Sequence, residues 1–332
     1  MVMIKFSVII PVYNRPDELK ELLESLKNQS YKNFEVVVVE DGSEIKSDKA
    51  IDHYQEHLDI KYFFKPNSGP GQSRNYGSER AVGDYHVFFD SDCIIPKEYF
   101  EIVNKRLEEE PVDAYGGPDM AHPDFSAIQK SINYSMTSFF TTGGIRGGMK
   151  NEKKFHPRSF NMGFTEEVYE KTKGFSKMRF GEDVDMSLRI IENGFSTTLI
   201  KEAAGYRKRI VDYKKFFKQV FNSGIARINL YKRHPQSLKL VHFLPASFLC
   251  GTVLLLILSL YNIYFLVPLG CFTVLIFLDS FRINKNLRVA FLSIFSSFIQ
   301  LTAYGMGFLK SFFKRLILRQ DEFHAYKKNF YK

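Results

Sequence analysis

Between Lys239 and Asp279 the chain carries no formal charge, and from Val241 to Leu309 it carries only four, Asp279, Arg282, Lys285 and Arg288. About 20 apolar residues suffice to cross a bilayer. The region is therefore expected to hold membrane helices near 241–260 and 263–281. Val289–Leu309, interrupted by Gln300, Gly305 and Gly307, is a third candidate. A soluble helical bundle is the competing reading, and the length of the uncharged runs argues against it. Positive charge gathers on both flanks. Residues 201–240 hold eleven Lys and Arg against Glu202 and Asp212, and residues 310–332 hold seven against Asp321 and Glu322. The net charge of +9 thus sits beside the apolar region, while the first 200 residues are net acidic. Basic, aromatic-rich flanks suit anionic lipid headgroups. Nucleic acid, which aromatic-basic interleaving also admits, is not expected as a partner.

Met1–Tyr13 lacks the long apolar core and small-residue cleavage site of a signal peptide. The first domain is expected on the cytoplasmic side of the cytoplasmic membrane. Arg282, Lys285 and Arg288 then return to that side, in line with the positive-inside bias. A full third crossing would carry Lys310, Lys314, Arg315 and Arg319 to the far side, against that bias. A re-entrant third segment is the alternative, and Phe312, Phe313, Leu316 and Ile317 among those cations fit an interfacial helix. Four regions result: 1–205 catalytic, 206–240 basic and aromatic at the interface, 241–309 membrane-embedded, and 310–332 a basic tail.

The first 200 residues alternate strands and helices. Phe6–Tyr13 is a short apolar, β-branched run, read as a buried strand. Pro16 starts a helix with Leu19, Leu22, Leu23 and Leu26 on one face. Phe34–Val39 is a second strand ending in Glu40-Asp41-Gly42-Ser43. A polar helix over about Ser47–His57 and a strand at Ile60–Phe64 follow. A Gly-rich loop, Asn67 to Asn75, then runs into a helix. The run from Tyr85 to Phe89 stops in Asp90-Ser91-Asp92. Short connections between alternating elements predict a parallel α/β sheet. Ligands bind at the C-terminal strand ends of such sheets, and two of these strands end in acids. Asp-x-Asp there suits a hard divalent cation shared with substrate phosphates, although a plain polar turn has the same composition.

No Gly-x-Gly-x-x-Gly follows the first strand and no Gly-Lys-Ser/Thr occurs, which excludes an ordinary dehydrogenase or P-loop ATPase. Cys93, Cys250 and Cys271 are too few and too scattered for a disulfide framework or a zinc site. Farther on, Gly181 ends a loop, and Val184, Leu188 and Ile191 recur at helical spacing. Asp183 is thus expected in the first turn of a helix, where the macrodipole favours its ionised form. An acid that merely caps the helix, with Glu182 or Asp185 sharing that role, is the structural alternative. Ile128–Phe140 is a plausible helix. Gly116-Gly117-Pro118 and the glycines at 143–148 read as flexible loops, either a lid or a surface loop.

The ordered set Ser-Val-Ile-Ile-Pro-Val-Tyr-Asn, Glu-Asp-Gly-Ser, Asn-x-Gly-x-Gly-x-x-Arg-Asn, Asp-Ser-Asp, Phe160-Asn-Met-Gly-Phe164 and Gly181-Glu182-Asp183 resembles the family 2 glycosyltransferases of GT-A fold. The match covers about residues 5–230. The resemblance implies a GT-A nucleotide-diphospho-sugar transferase domain with a mostly parallel sheet, followed by C-terminal membrane helices. It also implies transfer of a sugar from a nucleotide sugar, a UDP-sugar by default, with inversion. Pro11, Tyr13, Asp41 and Arg74 would then surround the base and ribose, with Asn14, Ser43, Asn67 and Ser91 close by. Asp90 would reach the ribose or the metal, and Asp92 would ligate Mg2+ or Mn2+. Asp183 would be the base and Glu182 an acceptor contact.

Two departures follow. Arg207 stands where the family places a His, and an arginine cannot ligate a metal but can pair with phosphate. Gln219-Val-Phe-Asn222 lacks the Gln-x-x-Arg-Trp of the processive members, and the chain has no Trp, so single-sugar transfer is expected. The expected acceptor is a lipid-linked saccharide in cell-envelope polysaccharide synthesis. The rivals are a polyprenyl-phosphate glycosyltransferase and a non-catalytic membrane scaffold.

Overall fold

The computed structural model describes residues 3–120, 125–143, 155–207 and 212–322. They divide into two compact units. The first comprises 3–120 and 155–207, and the second 125–143 and 212–322.

In chain order the first unit holds β1 (Phe6–Val12), α1 (Pro16–Lys27), β2 (Phe34–Asp41), α2 (Asp48–Asp52), β3 (Ile60–Lys65), α3 (Pro70–Ser78), β4 (Tyr85–Phe88), β5 (Cys93–Ile94), α4 (Tyr99–Glu109), β6 (Ala114–Gly116) and β7 (Asp119–Met120). The second unit interposes α5 (Ala127–Thr137) and α6 (Phe139–Thr142). The first unit resumes with β8 (Met162–Thr165), α7 (Glu166–Thr172), α8 (Glu182–Glu192), β9 (Thr197–Leu199) and β10 (Gly205–Arg207).

Seven strands form one sheet in the order β3-β2-β1-β4-β8-β6-β9. β3, β2, β1 and β4 are mutually parallel, β8 is antiparallel to both neighbours, and β6 and β9 are parallel. The sheet is thus mostly parallel, as the alternating pattern predicts. The register pairs Phe6 with Phe34 and with Tyr85, so the C-terminal ends of β1, β2 and β4 lie side by side. Alternate residues feed two cores, as the strand period requires. Val8, Ile10, Val36, Val38 and Val87 pack with the leucines of α1 and with Phe100 of α4. Ile9, Val37, Val39 and Phe88 pack with Val168 of α7 and Met186 and Ile190 of α8.

Two helices differ from expectation. Of the expected Ser47–His57, only Asp48–Asp52 is helical. Glu40 captures the Ser47 amide at 2.9 Å, and the chain continues in turns such as Tyr54 N to Ile51 O, 2.8 Å. Ile51, Tyr54 and Leu58 reach the core from those turns. The expected Ile128–Phe140 is broken at Ser138, whose ψ of 140° is extended and whose Oγ caps the Phe140 amide at 3.3 Å. A second sheet, β5-β10-β7, was not anticipated. Most of the glycine-rich 143–148 stretch read as lid or loop lies outside the described residues.

The second unit continues with α9 (Tyr213–Arg233), α10 (Leu244–Leu258), α11 (Val267–Asn284) and α12 (Leu287–Phe312). Among the described residues three segments are long and apolar enough to cross a membrane: Leu240–Leu258, Ile263–Asn284 and Leu287–Ile317. Within this unit α5 is tied to α12 and α11 by polar contacts. Ser131 Oγ lies 2.8 Å from Ser296 Oγ, and Tyr134 donates to Asp279 Oδ2 at 2.9 Å.

Candidate active site

The strand ends carry the acids. Asp41, buried at the end of β2, accepts from the Ser68 and Gly69 amides at 2.9 and 2.8 Å and from Lys65 Nζ. Asn67 Nδ2 donates back to the Asp41 carbonyl at 2.8 Å. The Gly-rich loop is therefore fastened to β2 through one carboxylate. Gly42 makes this possible: its φ is +73°, and a Cβ there would sit 2.6 Å from the Asn67 nitrogen.

Asn14, itself at φ +52°, lies at the end of β1. Its amide donates to Ser43 Oγ at 2.8 Å, and its Oδ1 accepts from the Glu44 and Ile45 amides at 2.8 and 3.0 Å. Ser43 donates onward to the fully buried Glu40, which also accepts from Tyr62 at 3.3 Å. Pro11 and Tyr13 are half-buried beside them, and Ser91 is buried. Asn14, Ser43 and Glu40 form one connected rim.

The second cluster centres on Arg74 of α3, which is only 2% exposed. Its Nη2 donates to Asp90 Oδ1 at 2.7 Å and its Nη1 to Glu182 Oε1 at 3.2 Å. The guanidinium stands 5.3 Å from the Phe175 ring centroid. Burial penalises this cation, but Asp90, Glu182 and Asp183 more than compensate and raise its pKa.

Asp183 lies in the first turn of α8, behind Gly181 as N-cap. Its Oδ1 accepts from the Val184 amide at 2.9 Å, and Arg158 Nε donates to its Oδ2 at 2.6 Å. Burial pushes this carboxyl up, and the charge and hydrogen bond of Arg158, with Arg74 behind, bring it below its ordinary value. Glu182 behaves oppositely. Burial, then the charge of Asp183, pushes it up to about 7 against the pull of Arg74. Asp185 has the structural role. It pairs with Arg189 at 2.9 Å, and Arg189 ties down the Thr172 and Gly174 carbonyls.

Asp90 and Asp92 end β4 as two carboxylates of the oxygen type that hard divalent cations take. Arg15, 49% exposed, reaches Asp92 Oδ2 at 3.4 Å, and the Asp92 side chain is 15% exposed. No group of three or more His, Cys, Asp or Glu that could hold a metal occurs among the described residues. The pair thus fits a cation whose remaining ligands come from a substrate and solvent, and not a closed protein site. β10 runs antiparallel to β5, with Arg207 opposite Cys93, directly after the Asp turn.

The family model described as glycosyl transferase family 2 matches residues 7–172, half of the chain. The chain belongs to that family. An uncharacterized glycosyltransferase of Rickettsia felis is 42% identical over 143 residues, covering 42% of this chain and 23% of that protein. The poly(ribitol-phosphate) beta-N-acetylglucosaminyltransferase TarS of Staphylococcus aureus is 38% identical over 115 residues, 33% of this chain and 20% of TarS. The chain spans less than a quarter of the length of the first curated relatives it matches. Among solved structures, the mannosyltransferase PcManGT of Pyrobaculum calidifontis, in complex with GDP-Man and Mn2+, aligns with a TM-score of 0.64 at 16% identity over 90% of this chain and 88% of that one. S. aureus TarS 1-349 with UDP-GlcNAc aligns at 0.52 and 20% over 95% and 92%. These likenesses establish the GT-A-type fold.

In this member of the family the residues expected at the site fall into two groups. Asp41, Asn67, Asn14 and Ser43 lie in the rim built on β1 and β2. Arg74, Asp90 and Asp183 lie in the cluster reached by α3 and α8, with Asp92 beside them. Sequence reasoning missed four partners. Glu40 precedes Asp41 at the same strand end, and Lys65 ends β3, so both strand ends signalled them. Arg15, next to Asn14, carried a similar signal. Arg158 lies in an irregular stretch before β8 and carried none.

Proposed function

We propose that the chain is a membrane-anchored, inverting glycosyltransferase that moves one sugar from a nucleotide-sugar donor to a lipid-linked saccharide at the cytoplasmic face. The observation that carries this reading is the pair of adjacent acids at the start of α8, Glu182 held by Arg74, which also holds Asp90 of the turn after β4, and Asp183 held by Arg158. The rim of Pro11, Tyr13, Asn14, Asp41, Ser43 and Asn67 is the proposed base and ribose side, with a UDP-sugar as the default donor. Asp90 and Asp92 would hold Mg2+ or Mn2+, and Arg207, whose side chain lies outside the described residues, would be a phosphate contact. A cation held there would supply positive charge against the departing diphosphate.

This chain's own contribution is the proton. Asp183, kept ionised by Arg158, takes the acceptor hydroxyl proton onto its carboxylate as that oxygen attacks. Glu182, with its higher pKa, keeps a proton over part of the neutral range. That same pKa favours a second reading, in which Glu182 is the base and Asp183 its electrostatic neighbour. Membrane extracts supply lipid-linked acceptors for the test. Radiolabelled sugar from UDP- and GDP-sugars should appear in the lipid fraction with the parent chain and not with Asp183→Asn. Loss with Glu182→Gln and retention with Asp183→Asn would reverse the two roles. Neither transfer nor donor hydrolysis with any donor would sink the enzymatic reading.

A further inference from the structure

One of the three spanning-length segments differs from the others. In their most apolar windows 44% of Leu287–Ile317 is buried inside the protein, against 17% of Leu240–Leu258 and 11% of Ile263–Asn284. Much of that cover is α9. At one end Tyr213 donates to the Leu292 carbonyl at 3.5 Å. Phe216 and Val220 share a core with Ala303. A Cβ on Gly224 would lie 2.3 Å from the Tyr304 oxygen, and one on Gly307 would lie 2.0 Å from the Phe221 oxygen. Ile228 packs with Phe308. At the far end Arg315 donates to Asn229 Oδ1 at 3.0 Å, and Arg233 pairs with Glu322 at 3.1 Å. The two helices run side by side, in the same direction, along the whole of α9, about 31 Å at 1.5 Å per residue.

α9 is no membrane helix. It carries Lys214, Lys215, Lys218, Arg227, Lys232 and Arg233, all exposed except the half-buried Arg227. A crossing by α12 would draw Lys218 and Arg227 into hydrocarbon, where charged side chains are costly. We infer that α12 does not cross the membrane. Paired with α9, it lies along the surface as a platform for anionic headgroups, and only α10 and α11 enter the bilayer. The inference rests on the membrane-anchored reading above.

The outer surface of α12 suits this placement. Leu287, Phe291, Phe295, Met306, Phe313 and Ile317 are exposed, and their spacing sets them on one helical face. Exposed Arg288, Lys310 and Lys314 accompany that stripe, the composition of a helix lying in the interface. With two entries instead of three, the chain returns to the side it left. Lys310, Lys314, Arg315 and Arg319 then share the face of Asp212, and the positive-inside bias is satisfied.

The test labels single cysteines from each side, using right-side-out and inside-out membrane vesicles and a membrane-impermeant maleimide. The parent chain is the background, since Cys93 is buried and Cys250 and Cys271 sit in the apolar spans. Glu56→Cys in the first unit and Lys314→Cys after α12, both exposed positions, should label from the same side. Labelling from opposite sides overturns the inference. A nitroxide at Phe295→Cys should collide with both oxygen and a water-soluble nickel chelate, as at an interface. Collision with oxygen alone, at the depth found for Leu256→Cys, also overturns it. Release of the parent chain from membranes by carbonate would instead remove the anchored reading on which the inference stands.

Discussion

Arg158 Nε donates to Asp183 Oδ2 at 2.6 Å, and this contact separates two adjacent acids into an ionised one and a protonatable one. With its pKa lowered, Asp183 is fully charged across the neutral range. The acid limb of kcat/KM should therefore fall below about pH 4, with no ionisation of this group near 7. Arg158→Met removes the dominant stabilising charge and should move that limb to higher pH. Asp183→Asn should cost about 10²- to 10⁴-fold in turnover. A pH–rate profile of the two variants beside the parent checks all three, and an unmoved limb in Arg158→Met sinks the assignment.

Glu182 links stability to pH in the other direction. Its ordinary value is 4.5 and its folded value about 7, so the native state binds the proton more tightly than the unfolded one. That stabilisation is complete below about 4.5 and is lost as pH rises through about 7. Scanning calorimetry of the detergent-solubilised chain should give a Tm that declines between pH 5 and 8 through this group. Glu182→Gln, which cannot ionise, should flatten that decline.

Asp41 carries the attachment of the Gly-rich loop. Asp41→Ala would strand the Ser68 and Gly69 amides and leave the buried Lys65 ammonium without its carboxylate. Removing one partner of a buried ion pair costs about 3–5 kcal/mol. Asp41→Asn retains one acceptor and should cost less. Chemical denaturation ranks the three chains, and equal stability of all three would mean that the loop is held elsewhere.

The strand ends of the proposed donor half were legible because their signals are local. Apolar, β-branched runs ending in Asp41 and in Asp90 each announce a buried strand and its ligand-facing end, and the register of β1 brings the two together. The base candidate was also legible, since Gly181 and the apolar spacing after it set Asp183 in a first helical turn. What escaped depends on contacts distant in sequence. Arg158 meets Asp183 across 25 positions, from a stretch with no periodicity. Strands of two or three residues, such as β5, β7 and β10, have too few residues to display alternation. The partnership of α9 with α12 rests on Gly224 and Gly307, and a glycine inside a helix does not say which backbone it lets approach.

Asp92 is the residue on which a divalent cation should depend most. Chelation by EDTA should abolish transfer, and added Mn2+ should restore it. Asp92→Asn removes one of only two carboxylates and should raise the Mn2+ concentration needed for half-maximal transfer at least about tenfold. Calorimetric titration with UDP or GDP, with and without Mn2+, reads the same dependence without turnover. Nucleotide binding that ignores the metal would move the diphosphate contact to cations such as Arg207.

Gly307 gives the sharpest test of the helix pairing, because its neighbour is main chain. A methyl at that position would fall 2.0 Å from the Phe221 carbonyl oxygen, whereas a methyl at Gly251 of α10 meets nothing within 4 Å. Alanine is favoured over glycine in a helix interior by about 1 kcal/mol. Gly251→Ala should therefore leave Tm unchanged or raise it slightly. Gly307→Ala gains the same helical preference but must push α9 and α12 apart, which loosens Phe216, Val220 and Ile228 from their contacts on α12. Its Tm should fall, and protease sensitivity in α9 should rise before the first unit unfolds. Equal behaviour of the two variants would mean that α9 is not held against α12 in the membrane-bound protein, and the surface placement of α12 would lose its footing.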